Sequence, residues 1–140
     1  MKHFLVIGNP IAHSLSPKIH NHAIRFYNLD AFYSRILLPQ DIHSEFLREF
    51  IFSSNINGIN ITLPFKEIAY KAIDILESTA EKIGAINTIV NKDSKLYGYN
   101  TDAEGFYMSI KDSIKDLGVK NALILGAGGS AKAIAVILDK

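Results

Sequence analysis

The stretch FLVIGNPIAHSLSPKIHNHAIRFYNLDAFYSRILLP, residues 4–39, decides the fold class. Phe4–Ile7 is a short apolar run closed by Gly8-Asn9-Pro10, which reads as a buried strand leading into a loop. Ser16-Pro17 then offers an N-cap followed by proline at the first helical position. Ile19, Ala23 and Tyr27 recur at helical spacing, so a helix is expected to about Asn28. Ala31–Leu38 reads as a second strand, ended by Pro39. Two strands joined through a helix form the unit from which parallel sheets are built.

The same alternation continues outward. Ile42, Phe46, Leu47, Phe50 and Ile51 make the apolar stripe of a second helix. Gly58–Leu63 sets Ile59, Ile61 and Leu63 against Asn60 and Thr62, the period of a strand, and Pro64 ends it. Lys66–Leu76 returns to a helical pattern, and Thr79–Ile83 is a short helix with Gly84 as its stop. Ile86–Val90 and Leu96–Tyr99 flank the polar stretch Asn91–Lys95, which predicts a hairpin with a five-residue connection. Asp102 is placed to cap a helix over Ala103–Asp116, with Phe106, Ile110 and Ile114 on one face and Gly118 at its end. Ala122–Leu125 reads as a buried strand, and Gly126-Ala127-Gly128-Gly129 leads into a helix over Ser130–Leu138. The order predicts an α/β fold with a mainly parallel sheet. The expected boundary lies near Thr101-Asp102, dividing a unit over 1–102 from a second over 103–140. A nucleotide-binding half needs βαβαβ, and the helix over Ala131–Leu138, apolar but for Lys132, has the composition of one buried between layers. The sequence is therefore expected to be a piece of a longer protein.

Composition narrows the functions. Hydrophobic residues are 48% and charged residues 21%, enough apolar material to rule out intrinsic disorder. Fifteen Lys+Arg against 14 Asp+Glu leave +1, with no basic excess to neutralise a phosphate backbone, so nucleic acid is not an expected partner. The absence of cysteine removes disulfides, thiolate metal sites and thiol catalysis. No signal peptide or membrane segment is evident, so a cytoplasmic protein without a membrane partner is expected. The five histidines show no metal-ligand spacing, His20 and His22 pointing to different helix faces, and no metal is expected.

Several motifs carry chemistry. Gly126-x-Gly128-x-x-Ala131, between a strand and a helix, matches the dinucleotide fingerprint. Gly126 would permit the tight turn, Gly128 the approach of a pyrophosphate, and Ala131 close helix–strand packing. The alternative is a glycine turn without a ligand. The residue that separates NAD from NADP lies about twenty positions further on, past this sequence. In the loop 8–17, Ser14 and Ser16 are hydroxyls beside a helix N-terminus, able to hold a carboxylate. The plainer reading is that Ser16 only caps the helix, and that His13 is a surface residue. Asn60 and Thr62 point to one strand face at its C-terminal end, where α/β sheets bind ligands. Lys66 follows at a helix start, where a cation is mildly disfavoured. It is either an exposed lysine or a functional one. Asn87 precedes the hairpin and Asn100-Thr101-Asp102 follows it. Asp102 is a cap or a carboxylate partner for Lys66, a pairing that could orient a carbonyl and move a proton.

Four stretches, GNPIAHSLSP (8–17), NGINITLPFKE (57–67), GAINTI with YNTD (84–89 and 99–102) and ILGAGGSA (124–131), together resemble the N-terminal half of the shikimate dehydrogenase family, in its order and at its spacing. The resemblance implies reversible reduction of 3-dehydroshikimate to shikimate with NADPH, on the route to chorismate and aromatic amino acids. It implies that Ser14 and Ser16 bind the substrate carboxylate, and that Thr62, Asn87 and Asp102 bind ring hydroxyls. Lys66 would be the acid/base, with Asp102 holding and polarising it. Asn60 and Thr101 would line the pocket, and Gly126, Ala127, Gly128, Gly129 and Ser130, with Ala131, would form the cofactor's Rossmann loop. Two rival readings share these motifs: a quinate/shikimate dehydrogenase, and a regulatory module that binds shikimate without catalysis. Whether the protein is a monomer or a homodimer is not legible in the sequence.

Overall fold

In the computed structural model, which describes residues 1–139, twelve elements follow the expected alternation. They are β1 (Lys2–Gly8), α1 (Ser16–Phe26), β2 (Ala31–Leu37), α2 (Ser44–Ser53), β3 (Gly58–Ile61), α3 (Lys66–Lys71), β4 (Ile75–Leu76), α4 (Ser78–Ile83), β5 (Thr88–Lys92), β6 (Lys95–Tyr99), α5 (Asp102–Leu117) and α6 (Gly129–Leu138). Six strands form one sheet in the order β2-β1-β3-β5-β6-β4. The pairs β1–β2, β1–β3 and β4–β6 are parallel, and β5 runs antiparallel to both β3 and β6. β5 alone is reversed.

The apolar run of β1 is buried on both faces, as a central strand flanked by helices requires. Leu5 and Ile7 face a core shared with Leu47 and Ile51 of α2, Ile59 and Ile61 of β3, and Phe65 and Ala69 around α3. Val6 points the other way, to Tyr33 and to Ile24 of α1. The period of β3 does the same work in reverse. Its isoleucines enter the core, while Asn60 is sent to the α1 face.

Three expectations are corrected. The helix begun at Lys66 stops at Lys71, and Ile75–Leu76 forms an edge strand on β6. Asp74 drives the change: its backbone N–H donates to Leu96 O at 3.0 Å, its carboxylate accepts from Leu96 N at 2.8 Å, and Arg48 pairs with it at 2.8 Å. The hairpin turn has two residues rather than five. Asp93 and Ser94 both take positive φ (51° and 57°), the geometry of a type I′ turn, and the ladder runs out to Lys92 opposite Lys95. Residues 122–125 form no strand, and Leu123 and Leu125 are 85% and 88% exposed. A strand needs a neighbour to hydrogen-bond with, and none of the described strands runs beside this segment. The apolar helix α6 is covered on one side only: Ala133 and Ile137 are buried with Ile83 and Ala103, while Ala135 is exposed. No helix among the described residues is long and apolar enough to cross a membrane.

Candidate active site

The loop 8–17 is held close to β3. Gly8 permits this approach, because a Cβ would stand 2.5 Å from Thr62 Cγ2 and 2.9 Å from Ile11 Cδ1. Asn9 N donates to Leu63 O at 2.9 Å, and its side-chain amide donates to Leu38 O at 2.7 Å, tying the loop to the ends of β3 and β2. Arg35 donates to Ala12 O at 2.5 Å. The expected cap is displaced. Ser14 Oγ accepts the Ser16 N–H at 3.3 Å, while Ser16 is the first helical residue and caps nothing.

A cavity of about 250 Å³ opens at the C-terminal ends of β1 and β3. Its wall brings together Ser14, Ser16, Asn60, Thr62, Lys66, Asn87 and Asp102, with His13 beside them. The reversed β5 makes this possible, since its start delivers Asn87 to the same edge at which β6 ends and delivers Asp102. Two larger hollows lie along α5 and α6: one of about 670 Å³ with a mostly apolar lining, and one of about 590 Å³ that carries Glu77 and Glu104 with no cation on its wall among the described residues. Thr101 is exposed and lies behind Asn87 rather than on the wall.

Lys66 is only 9% exposed. Its ammonium donates to Asp102 Oδ2 and to Ser130 Oγ, the latter at 3.1 Å. The carboxylate removes the charge penalty of a lysine at a helix start and of its burial. Asp102 is held in turn. Its Oδ1 accepts from Asn87 Nδ2 at 2.8 Å, and its backbone N–H donates to Asn100 Oδ1 at 3.0 Å. Buried Asn100 is anchored to Ala85 O at 2.9 Å. Asp102 is the first residue of α5 and does not cap it; its N–H goes to Asn100, and its carboxylate is left for Lys66 and Asn87. Thr101 N–H donates to Asn87 Oδ1 at 3.1 Å and fixes the amide's orientation.

Asn60 has its side chain engaged on both sides. Tyr33 Oη donates to its Oδ1 at 2.7 Å, and its Nδ2 donates to Thr88 Oγ1 at 3.2 Å. Burial pushes the Tyr33 phenol up to about 12, against a smaller opposing pull from its hydrogen bond with Ser16. It is therefore a hydrogen-bond donor throughout the working pH range. Tyr33, Thr88, Asn9 and Arg35 were not singled out from sequence. An aromatic in a strand reads as core, and single polar residues carry no spacing signal.

The glycine loop fits a pyrophosphate in its phosphate-facing part. Gly126 has φ 115°, open to glycine and rare for other residues. Space beside Gly128 is open, α6 has no side-chain cap and no acidic residue in its first turn, and its first N–H groups are unclaimed by the helix. Ala131 has no strand to pack against. Gly129 makes the close approach instead, onto Lys66 and Ala85. No cluster of metal-ligating side chains occurs among the described residues.

Residues 6–89 match the family model of the shikimate dehydrogenase substrate binding domain. The chain is 52% identical over 137 residues to the NADP(+) shikimate dehydrogenase of Helicobacter hepaticus, covering 97% of this chain and 48% of that protein. The structure is similar to that of shikimate dehydrogenase 1 from Peptoclostridium difficile, with TM-score 0.88 and 36% identity over 99% of this chain and 53% of that one. It is also similar to Thermus thermophilus shikimate 5-dehydrogenase in complex with NADP(H) and shikimate, with TM-score 0.80 and 37% identity over 99% of this chain and 52% of that one. The chain spans about half the length of the relatives it matches.

Proposed function

The chain belongs to the shikimate dehydrogenase family, and on that premise we propose that it supplies the substrate site and acid/base group for reversible NADPH-dependent reduction of 3-dehydroshikimate to shikimate. The observation that carries this reading is the buried Lys66 ammonium, paired with Asp102 on the wall of a small polar cavity.

NADPH, when bound, supplies the hydride. Residues 126–131 would hold its pyrophosphate through backbone N–H groups at the start of α6. Ser14 and Ser16 offer neutral hydroxyl donors to the substrate carboxylate, away from the anionic Asp102. Thr62, whose hydroxyl makes no hydrogen bond among the described residues, is free for a ring hydroxyl, as are the outward edges of Asn87 and Asp102. Reduction of a ketone places negative charge on its oxygen. The Lys66 ammonium meets that charge and gives up one proton from Nζ, so that ketone, hydride and proton sum to the alcohol. In the reverse direction, the neutral amine takes the hydroxyl proton. Asp102 keeps Nζ in place through both states. Asn60 lines the wall and fixes Thr88 beside it, while Thr101 acts behind the wall by fixing Asn87.

In this reading, residues 1–102 are the substrate unit and 103–140 begin the nucleotide unit. The protein works in the cytoplasm on a small molecule, without nucleic acid or membrane, as a monomer or homodimer. The test is NADPH formation from shikimate and NADP⁺ by the intact protein, with quinate as a parallel substrate. Turnover of shikimate supports the reading. Turnover of both at similar rates makes it a quinate/shikimate dehydrogenase. Shikimate binding without turnover makes it a binding module.

A further inference from the structure

Lys66 is held by more than its carboxylate. The second acceptor of its ammonium, Ser130 Oγ at 3.1 Å, comes from the first turn of α6, 64 residues along the chain. This approach explains Gly129. A Cβ at that position would stand 3.1 Å from Ala85 Cβ and 3.3 Å from Lys66 Cβ, so a side chain would lift α6 off the lysine stem. A second tie lies beside it, where Lys132 donates to Glu67 at 2.5 Å. Consecutive residues of α3 are thus matched by two residues of α6. An ammonium has three N–H donors. Asp102 and Ser130 take two, from separate elements, and together they fix the direction of the third, which is left for an oxygen in the cavity. With Asp102 alone, the group could turn about its own stem.

We propose that Ser130 is a positioning residue for Lys66, so that the glycine loop sets the aim of the acid/base group as well as seating a phosphate. The proposal rests on the role of Lys66 given above. It goes beyond that role in assigning the Ser130 hydroxyl to the lysine rather than to the cofactor.

The experiment uses Ser130→Ala and Ser130→Thr in the intact protein. The first readout needs no cofactor: the rate at which an acylating reagent labels Lys66, measured by peptide mass and referred to exposed Lys18. Ser130→Ala is expected to speed labelling of Lys66 several-fold, and Ser130→Thr, which keeps the hydroxyl, to restore the original rate. The second readout is turnover. Loss of one hydrogen bond to a charged group is expected to lower kcat by about 10-fold, with KM for shikimate and for NADP⁺ nearly unchanged and with recovery in Ser130→Thr. Unchanged labelling and unchanged kcat in Ser130→Ala would overturn the proposal. So would a rise in KM for NADP⁺ alone, which would make Ser130 a cofactor contact and nothing more. If the parent protein turns over no shikimate, the functional reading fails, and the labelling rates still decide whether Ser130 holds Lys66.

Discussion

Asn87 Nδ2 donates to Asp102 Oδ1 at 2.8 Å, so the carboxylate that holds Lys66 is itself held, and from the opposite side of the hairpin. The two oxygens of Asp102 divide their work, one to the lysine and one to the amide. Asp102→Asn would strip the charge from this arrangement and leave the Lys66 ammonium buried without a counter-ion. A broken buried pair costs about 3–5 kcal/mol. With Asp102 35% exposed, water screens part of this, and about 1–3 kcal/mol is expected. Thermal denaturation measures it. The double variant Lys66→Met/Asp102→Asn should regain stability but not turnover.

Lys66→Ala should lower turnover by about 10²–10⁴, the range of positioned acid–base catalysis. Shikimate should still bind, since the hydroxyls of Ser14, Ser16 and Thr62 remain. Steady-state kinetics and calorimetric titration with shikimate together check this, and near-normal turnover would remove Lys66 from the mechanism.

The serine pair should behave in the opposite way. Ser14→Ala and Ser16→Ala are each expected to raise KM for shikimate by about 10-fold, the scale of one hydrogen bond to a charged group, with kcat little altered. Shikimate methyl ester, which lacks the carboxylate charge, should discriminate far less between the variants and the parent.

Gly8→Ala tests the packing behind the site. Its new Cβ would meet Thr62 Cγ2 at 2.5 Å and Leu63 O at 3.3 Å, the second a backbone atom with little freedom to move. Overpacking of this kind costs about 1–3 kcal/mol. A lower Tm together with a raised KM for shikimate is expected, because the displaced neighbour is a residue of the cavity wall.

The Arg48 guanidinium, and after it the Leu96 N–H, hold the Asp74 carboxyl below its usual range. A carboxylate depressed in the folded state contributes stability above its unfolded value and loses it as pH falls through the folded one. Acid should therefore weaken the protein below the ordinary carboxylate range. Asp74→Asn should flatten that part of the curve, as measured by urea denaturation across pH 2–6.

Much of this was legible because local chemistry and tertiary need agree. The apolar run of β1 and the alternation in β3 name their own faces. Gly84 and Gly118 do end α4 and α5, each in the left-handed conformation. The residues expected to meet substrate, Thr101 excepted, line one cavity wall. What escaped was decided elsewhere in the chain. The pattern from Lys66 to Leu76 is helical by itself, and only Arg48 and Leu96, distant in sequence, turn its end into a strand. The polar residues Asn91, Lys92 and Lys95 read as loop because their partners across the ladder are not visible in a linear pattern. Ser16 and Asp102 both resemble caps, but each is the first helical residue, and its own N–H is accepted by a side chain two residues earlier, Ser14 or Asn100. Residues 122–125 have the composition of a strand, but composition does not supply a neighbour.

The hairpin of β5 and β6 separates chemistry from connection. Its open end carries Asn87 and Asp102, and its closed end, the Asp93-Ser94 turn, lies five strand residues away, about 15 Å at the usual rise. Both turn residues are exposed. A fluorophore, an epitope or a grafted peptide placed at that turn would sit on the same ladder whose far end carries Asn87 and Asp102, without touching either. The hairpin therefore offers a handle by which the protein can be labelled or tethered at a distance from the cavity.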